Sequence, residues 1–431
     1  MFKKIVLKLL RFFAKKILKK YHPQIIGITG SVGKTSAKEA IAMVLNGSFN
    51  VKKTTKNYNN EVGVPLTIIG IDSPPNRSFF GWLSVFWRAM SLVLFKSEKY
   101  PEVLVLEMGA DKPGDIKYLV EIAPCNVGVL TFISHAHTEF FGSLKKIAQE
   151  KRNIISHLAA NGYAILNYDN DWVREEKSAT KANLITYGFK NGADMQASDV
   201  HILYDNTGGW PMGTTFKVSY QGNVLPVFLP AIAAEHLIPA ALAGLVVGTI
   251  FGVNLVDGAA RLRNLKPLPG HMRLIPGIKK TMLIDDTYNS SPEAAKSALL
   301  TLAHFSTKEG AERYVVLGDM LELGTETINA HREIGFKVAE LGIDFLVTVG
   351  EASKHSASAA KEAGMEEHRV ACFADSTSAG KFLQDKIQEG DVVLIKGSQS
   401  IRLERVVKEL MADPLHAKDL LVRQDGEWVN R

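Results

Sequence analysis

Cysteine is almost absent from this chain: there are two, Cys125 and Cys372, in 431 residues. Two thiols so far apart make no disulfide framework and have no metal-site spacing. They fit a reducing compartment and a role as small buried side chains. Acidic residues are missing from residues 1–20, which hold eight Lys/Arg. The formal charge of +6 therefore sits in a basic arm, the rest of the chain is close to neutral, and nothing points to nucleic acid. No apolar run is long enough to span a bilayer, and no small-residue cleavage site follows the arm. Repeats, low-complexity tracts, a nucleophile elbow, a Cys–His arrangement and a CxxC motif are all lacking. At 46% apolar and 22% charged residues the composition is that of a globular protein with two or three domains.

What is present is Gly27-Ile28-Thr29-Gly30-Ser31-Val32-Gly33-Lys34-Thr35-Ser36. It follows the apolar pair Ile25–Ile26 and precedes a stretch, Ala37 to Leu45, with helical periodicity. A Gly-rich turn from strand to helix offers backbone N–H groups and a positive helix end to an anion. Lys34 adds a point charge for terminal phosphates, and the Thr35 hydroxyl can ligate Mg²⁺. The usual spacing places glycine at position 28, whereas the glycines here fall at 27, 30 and 33. The stretch is a nucleotide loop of a variant kind; the bland alternative is a Gly-rich turn that contains Lys-Thr by chance.

From residue 24 onward strands and helices alternate, the signature of a parallel sheet with crossover helices. Strand candidates are Ile25–Ile28, Glu102–Glu107, Val127–Phe132 and Ala164–Asn167. Short alternating segments at Phe216–Tyr220 and Val224–Leu229 predict a small β subdomain, followed by a long apolar helix over His236–Phe251. Leu265-Lys266-Pro267-Leu268-Pro269-Gly270 reads as a hinge. Beyond it Met282–Asp285, Tyr314–Leu317, Phe345–Val349 and Val392–Ile395 predict a second α/β domain. The expected class is α/β: a central parallel-sheet P-loop ATPase domain (24–266) with the small β subdomain, then a Rossmann-like C-terminal domain (267–431), preceded by a basic helix (1–23).

Residues 1–20 form an amphipathic helix at 100° per residue. Its basic face suits the interface of an anionic membrane, or alternatively a helix packed on the domain with its lysines in water. Residues 79–95 hold two Trp and four Phe with one charge, which suits a second interfacial element, a protein contact or buried core. The expected location is cytoplasmic, with peripheral placement on the inner face of the membrane as the finer expectation.

Glu107 ends a strand beside the loop, where a carboxylate in a parallel sheet faces the ligand crevice and can bind the Mg²⁺ that accompanies phosphates. His135, His137 and Glu139 lie just past the next strand and could ligate metal, although a solvated turn is the commoner outcome. Asp285-Asp286-Thr287-Tyr288-Asn289, the acidic loop Gly318–Gly324 and Lys396-Gly397-Ser398 bring charge to where the two domains should meet. Phosphoryl transfer, which relies on positioning and charge neutralisation, is the chemistry these groups suit.

Together these residues resemble the Mur ligase family over roughly residues 24–415. Gly27–Thr35 looks like the family's ATP loop, with Gly30, Ser31, Val32, Gly33, Lys34, Thr35 and Ser36 around the phosphates. Asn57 to Thr67 resembles its substrate-proximal loop, which makes Asn59 and Asn60 substrate contacts. His137-Thr138-Glu139-Phe140-Phe141-Gly142-Ser143 matches the motif whose histidine binds a second Mg²⁺, and Lys151 sits where the family carries a carbamoylated lysine supporting that metal. Thr35 and Glu107 would hold the first Mg²⁺, Asp286 would meet the nucleotide, and Asn289 and Lys396 the substrate.

The motifs from Asp286 to Asn289, Leu317 to Gly324 and Lys396 to Ser398 resemble the branch that adds a D-alanyl-D-alanine dipeptide to a muramoyl-peptide cell-wall precursor. The implied reaction forms an acyl phosphate from ATP and a carboxylate, then an amide. Three departures accompany the likeness. The family's N-terminal domain for the UDP-sugar end is expected to be absent, some 23 residues preceding the ATP domain. Only His236 remains of an adenine-side Gly-x-His-Asn motif. His271 stands where an arginine is usual, with Arg273 as its substitute. A lipid-linked or other acceptor, and a non-catalytic membrane-associated ATP-binding scaffold, are the alternatives.

Overall fold

Isoleucine, valine and leucine runs broken by glycine produce two sheets, and the chain crosses from one to the other at the predicted hinge. The computed structural model describes residues 2–55, 58–72, 75, 79–134, 141–205, 210–230, 235–305, 307, 309–424 and 428. The first sheet contains β1 (Gln24–Thr29), β2 (Val51–Lys53), β3 (Val103–Glu107), β4 (Val127–Leu130), β5 (Tyr163–Asn167), β6 (Asn183–Gly188), β7 (Met195–Tyr204), β8 (Pro211–Tyr220) and β9 (Asn223–Pro230). Their order is β2-β3-β1-β4-β5-β6-β7-β8-β9. Pairing is parallel from β2 through β7 and antiparallel from β7 to β9. The small β unit predicted around residues 200–230 is thus the continuation of this same sheet.

Strand residues alternate between its two faces. Val103 and Val105 of β3 join one core, with Ile26, Ile28 and helix α2 (Lys34–Leu45). Leu104 and Leu106 join another, with α1 (Phe2–Tyr21), α3 (Gly63–Ile69), α4 (Phe79–Leu94) and α5 (Asp115–Ile122). The apolar helix Ile238–Ile250 packs on α2, where Gly244 lies so close to the Ala40 backbone that a Cβ would stand 3.0 Å from it. Helix α1 divides its apolar residues. Val6, Leu10, Phe13 and Ile17 are buried, while Ile5, Leu9 and Phe12 stay exposed.

The second sheet holds β10 (Arg273–Pro276), β11 (Met282–Asp286), β12 (Arg313–Gly318), β13 (Phe345–Val349), β14 (Val370–Phe373) and β15 (Val392–Lys396), ordered β10-β11-β15-β12-β13-β14. Only β10 runs antiparallel, on the edge. No described helix is long and apolar enough to cross a membrane.

Candidate active site

The loop between β1 and α2 is built around close approaches. Gly30 passes the Thr131 side chain at a distance where a Cβ would overlap Oγ1 at 2.0 Å, and Gly33 adopts φ +83°. Only glycine takes that left-handed turn without strain. Thr131 Oγ1 donates to Val32 O at 2.6 Å, and Ser31 Oγ bonds the backbone of Ser134. These contacts clamp the loop to the end of β4. The first amides of α2 follow, and amides at a helix start have no acceptor within the helix. They face the crevice beyond the strand ends, at the point where chain connections leave β1 and β4 in different directions.

Two lysines converge on one carbonyl there. Lys34 Nζ donates to Gly30 O at 2.8 Å and Ser31 O at 3.1 Å, and Lys151 Nζ donates to the same Gly30 O at 3.0 Å. Burial lowers the pKa of Lys34, opposed by the charges of Glu107 and Asp111. Burial, reinforced by the Lys34 charge, pushes Lys151 down to about 7. Lys151 ends the helix Leu144–Lys151, and its neighbour Glu150 caps α5 by accepting from Gly114 N and Ile116 N at 2.8 and 2.7 Å.

Glu107, at the end of β3, is 1% exposed. Its Oε1 accepts from Asn59 Nδ2 at 3.0 Å. Its Oε2 has no hydrogen-bond partner among the described residues and faces Lys38 Nζ at 3.4 Å. A buried carboxylate oxygen with no hydrogen-bond donor among the described residues, within electrostatic reach of Lys34 on the phosphate-binding turn, fits Mg²⁺. That ion takes one or two protein oxygens and completes its shell with phosphates and water. Among the described residues no three His, Cys, Asp or Glu side chains gather into an all-protein cage.

From the second sheet, Asp286 and Lys396 form a buried ion pair, Nζ to Oδ2 2.6 Å, and Lys396 also donates to Asn289 O at 3.1 Å. Met272 N donates to Asp286 Oδ1 at 3.3 Å. His271 stacks on Tyr288 with ring centres 4.5 Å apart. Its pKa falls through burial, with Asp286 and, from across the crevice, Glu107 pulling it upward. The second lobe therefore lies within electrostatic reach of the loop's carboxylate. Asp285, pushed up to about 6 by burial, accepts from Gly270 N at 2.9 Å and from Thr287. It fixes the hinge.

The structure brings together Gly30, Ser31, Val32, Gly33, Lys34, Thr35, Ser36, Asn59, Glu107 and Lys151, with Asp286, Asn289 and Lys396 opposite. Asn60 is occupied elsewhere: its Oδ1 accepts from Val62 N and Gly63 N at the start of α3. Arg273 turns its guanidinium to Asp419 O and Leu420 O at 3.3 and 3.4 Å, tying β10 to the C-terminal segment. Its place as the arginine substitute has no support in this geometry, because carbonyls from a distant segment compete for it. His137 lies outside the described residues, as does the side chain of His236, whose backbone sits in the turn Glu235–Leu237. Sequence reasoning missed Lys38, Thr131 and Glu150. Lys38 looks like one half of an exposed Lys-Glu pair on α2, and only the strand that brings Glu107 reveals it as buried.

The chain matches the Mur ligase middle domain over residues 28–73 and 89–247 and the Mur ligase, glutamate ligase domain over 270–399. The UDP-N-acetylmuramoyl-tripeptide–D-alanyl-D-alanine ligase of Bacillus subtilis (strain 168) is 30% identical over 406 residues, covering 94% of this chain and 80% of the relative. The enzyme of the same description from Escherichia coli (strain K12) is 31% identical over 392 residues, covering 90% and 76%. Among solved structures, the MurF ligase of Thermotoga maritima in complex with ADP superposes with a TM-score of 0.76 at 28% identity, covering 96% of this chain and 84% of that one. MurF from Acinetobacter baumannii gives 0.78 at 25% identity, covering 95% and 81%. The two matched domains account for most of the chain and carry the residues that converge on the loop: the chain belongs to the Mur ligase family of ATP-dependent, C–N bond-forming ligases.

Proposed function

We propose that this chain is a MurF-type ligase that uses ATP to join D-alanyl-D-alanine to a UDP-muramoyl-tripeptide. The observation that carries it is the convergence of two buried lysines on Gly30 O near a buried carboxylate, one of whose oxygens has no hydrogen-bond partner among the described residues, with an Asp–Lys pair of the second lobe within electrostatic reach. A carboxylate oxygen of the acceptor attacks the γ-phosphorus, the bond to ADP breaks, and an acyl phosphate forms. The dipeptide amine then attacks the acyl carbon, phosphate leaves, and the amine gives up a proton. Mg²⁺ held by Thr35 and Glu107 would neutralise the charge that develops on the phosphates.

Lys34 and the amides of residues 30 to 36 hold the phosphates. Thr35 and Glu107 hold the metal, with Asn59 fixing the Glu107 carboxylate. Lys151 and His137 serve the second metal position. Lys151 shares its carbonyl acceptor with Lys34, so conversion to a carbamate replaces a repelling cation by an anion beside Lys34. An amine held near pKa 7 is free to react with CO₂ at neutral pH. Isotopically labelled bicarbonate should then give a carbamate resonance that is lost in Lys151→Met. Asp286 meets the nucleotide, Asn289 and Lys396 the dipeptide and its carboxylate. Residues 24–266 and 267–431 act as two lobes, and helix α1 of the first 23 residues packs into the core of the first lobe.

The test is phosphate release by purified protein with ATP, Mg²⁺, D-alanyl-D-alanine and UDP-muramoyl-tripeptide. Turnover above background that disappears in Lys34→Ala supports the reading; none above background overturns it. A second reading keeps the chemistry and puts the acceptor on a lipid carrier at the inner face of a membrane. The lysine-rich α1 and exposed aromatics of α4 favour it, and the ratio of kcat/KM for lipid-linked and UDP-linked acceptors decides it.

A further inference from the structure

Helices α1 and α4 lie side by side and run parallel. Phe13 meets Phe86 with ring centres 6.1 Å apart. Farther along both helices Lys20 Nζ donates to Leu92 O and Val93 O at 3.0 and 2.9 Å, and Tyr21 Oη to Phe95 O at 3.0 Å. A helix on a globular surface normally buries its one apolar side. Helix α4 has two. Val85 and Ala89 point inward at 2% and 0% exposed, while Phe80, Leu83, Trp87, Met90 and Leu94 point outward at 42–78%. At 100° per residue those five fall within an arc of about 80°, next to Phe86 and therefore next to α1.

The outward residues of α1 continue this stripe. Ile5, Leu9 and Phe12 are 38–53% exposed and lie on the side of α1 nearer α4. Beyond them Lys4, Lys8, Lys15 and Lys19 form an exposed row, and neither helix contains an acidic residue. The result is one apolar patch, interrupted on α1 by exposed Lys16 over the Phe12 ring, with a border of positive charge along one side, a surface that a folded protein ordinarily covers.

The charge selects the occupant. A second copy meeting this face with its own would bring lysines and no acid to the lysine row. An anionic bilayer satisfies both parts: lysines pair with headgroups while Trp87 and its neighbours enter the boundary of headgroups and acyl chains. With 16 residues α4 is short of the ~20 needed to span, so the pair lies in the surface. The N-terminal end of α1 also meets the loop before α3, since Lys3 Nζ, on another side of the helix from the outer face, lies 3.8 Å from Glu61, next to Asn59 and Asn60.

We propose that the outer face of α1 and α4 is an in-plane docking surface for an anionic membrane, which holds the Asn59–Glu61 loop close to that surface. It gives the second reading above its partner. Flotation of the full chain with phosphatidylglycerol-containing vesicles tests it, with pure phosphatidylcholine vesicles as the other arm. The chain should float with the anionic vesicles, and added salt should release it. Leu83→Glu with Trp87→Glu should lower the bound fraction at least about tenfold, as should Lys4, Lys8, Lys15 and Lys19→Gln together.

Both variants alter exposed side chains, so their unfolding midpoints and turnover on the soluble acceptor should match the parent. Vesicle binding and turnover are read separately, so failure of one leaves the other standing. A chain that stays unbound to anionic vesicles at low salt overturns the proposal, as does parental binding in the double-glutamate variant. Sedimentation of a dimer that this variant dissolves, in a chain indifferent to vesicles, overturns it too.

Discussion

Lys151 shows what single groups in the crevice must do. Unfolded, its amine titrates near the ordinary 10.5; folded, burial and Lys34 bring it to about 7. Between those values the unfolded chain binds the proton and the folded chain, in CO₂-free buffer where Lys151 is an unmodified amine, does not. Stability therefore rises with pH across that window, and this contribution is lost as pH falls through about 7. Lys151→Met removes the titration, so urea unfolding at a series of pH values should show a rising limb in the parent and a flatter one in the variant. Equal slopes would refute a buried neutral amine. Glu107 is tested differently. Glu107→Gln keeps the shape and its contact with Asn59 but halves what the carboxylate can offer a cation. Turnover should fall about a hundredfold or more, with a higher Mg²⁺ requirement, while ADP still binds without metal. Calorimetry and phosphate release check the two halves. Loss of ADP binding along with turnover would make Glu107 a structural residue instead.

At the scale of elements, the loop and α1 carry the arguments. Gly33→Ala forces a Cβ into φ +83° and should cost about 1–2 kcal/mol, with weakened ADP binding because the amides of α2 shift. In α1, buried Leu10→Ala should cost about 2–5 kcal/mol, whereas neighbouring Leu9→Ala on the outer arc should stay within about 0.5 kcal/mol. Denaturant midpoints of the pair tell whether α1 is part of the domain or a loose arm. The same contrast marks what the sequence disclosed. Strand β1 was legible because isoleucines bounded by glycine have no other good use, and the glycines at 27, 30 and 33 placed the loop. Strand β2 was not: three residues reading Val-Lys-Lys become a strand only because β3 offers them an edge. Strand β7 was hidden by Ser, Asp and His on its exposed positions. Asn60 and Arg273 came from the family resemblance, and sequence does not show the amides of α3 or the carbonyls at 419 and 420 that they bond.

Taken whole, the molecule is two sheets, and under the proposed function its catalytic groups are complete only when both lobes face one another. Lys34, Glu107 and Lys151 belong to the first; Asp286 and Lys396 belong to the second, locked at 2.6 Å with both side chains largely buried. Removing one partner of such a pair leaves a buried charge, so Lys396→Met should destabilise the second lobe by about 3–5 kcal/mol. Nucleotide binding then reads out the coupling between lobes. A ligand held by the first lobe alone stabilises that lobe alone; one touched by Asp286 stabilises both. At a hundred times its Kd, Mg²⁺–ADP should add about 2.7 kcal/mol to the unfolding of whatever binds it. Scanning calorimetry should therefore show the unfolding of both lobes moving upward together in the parent and neither moving in Lys34→Ala. If only one transition shifts, Asp286 does not contact the nucleotide, and the second lobe serves the dipeptide alone.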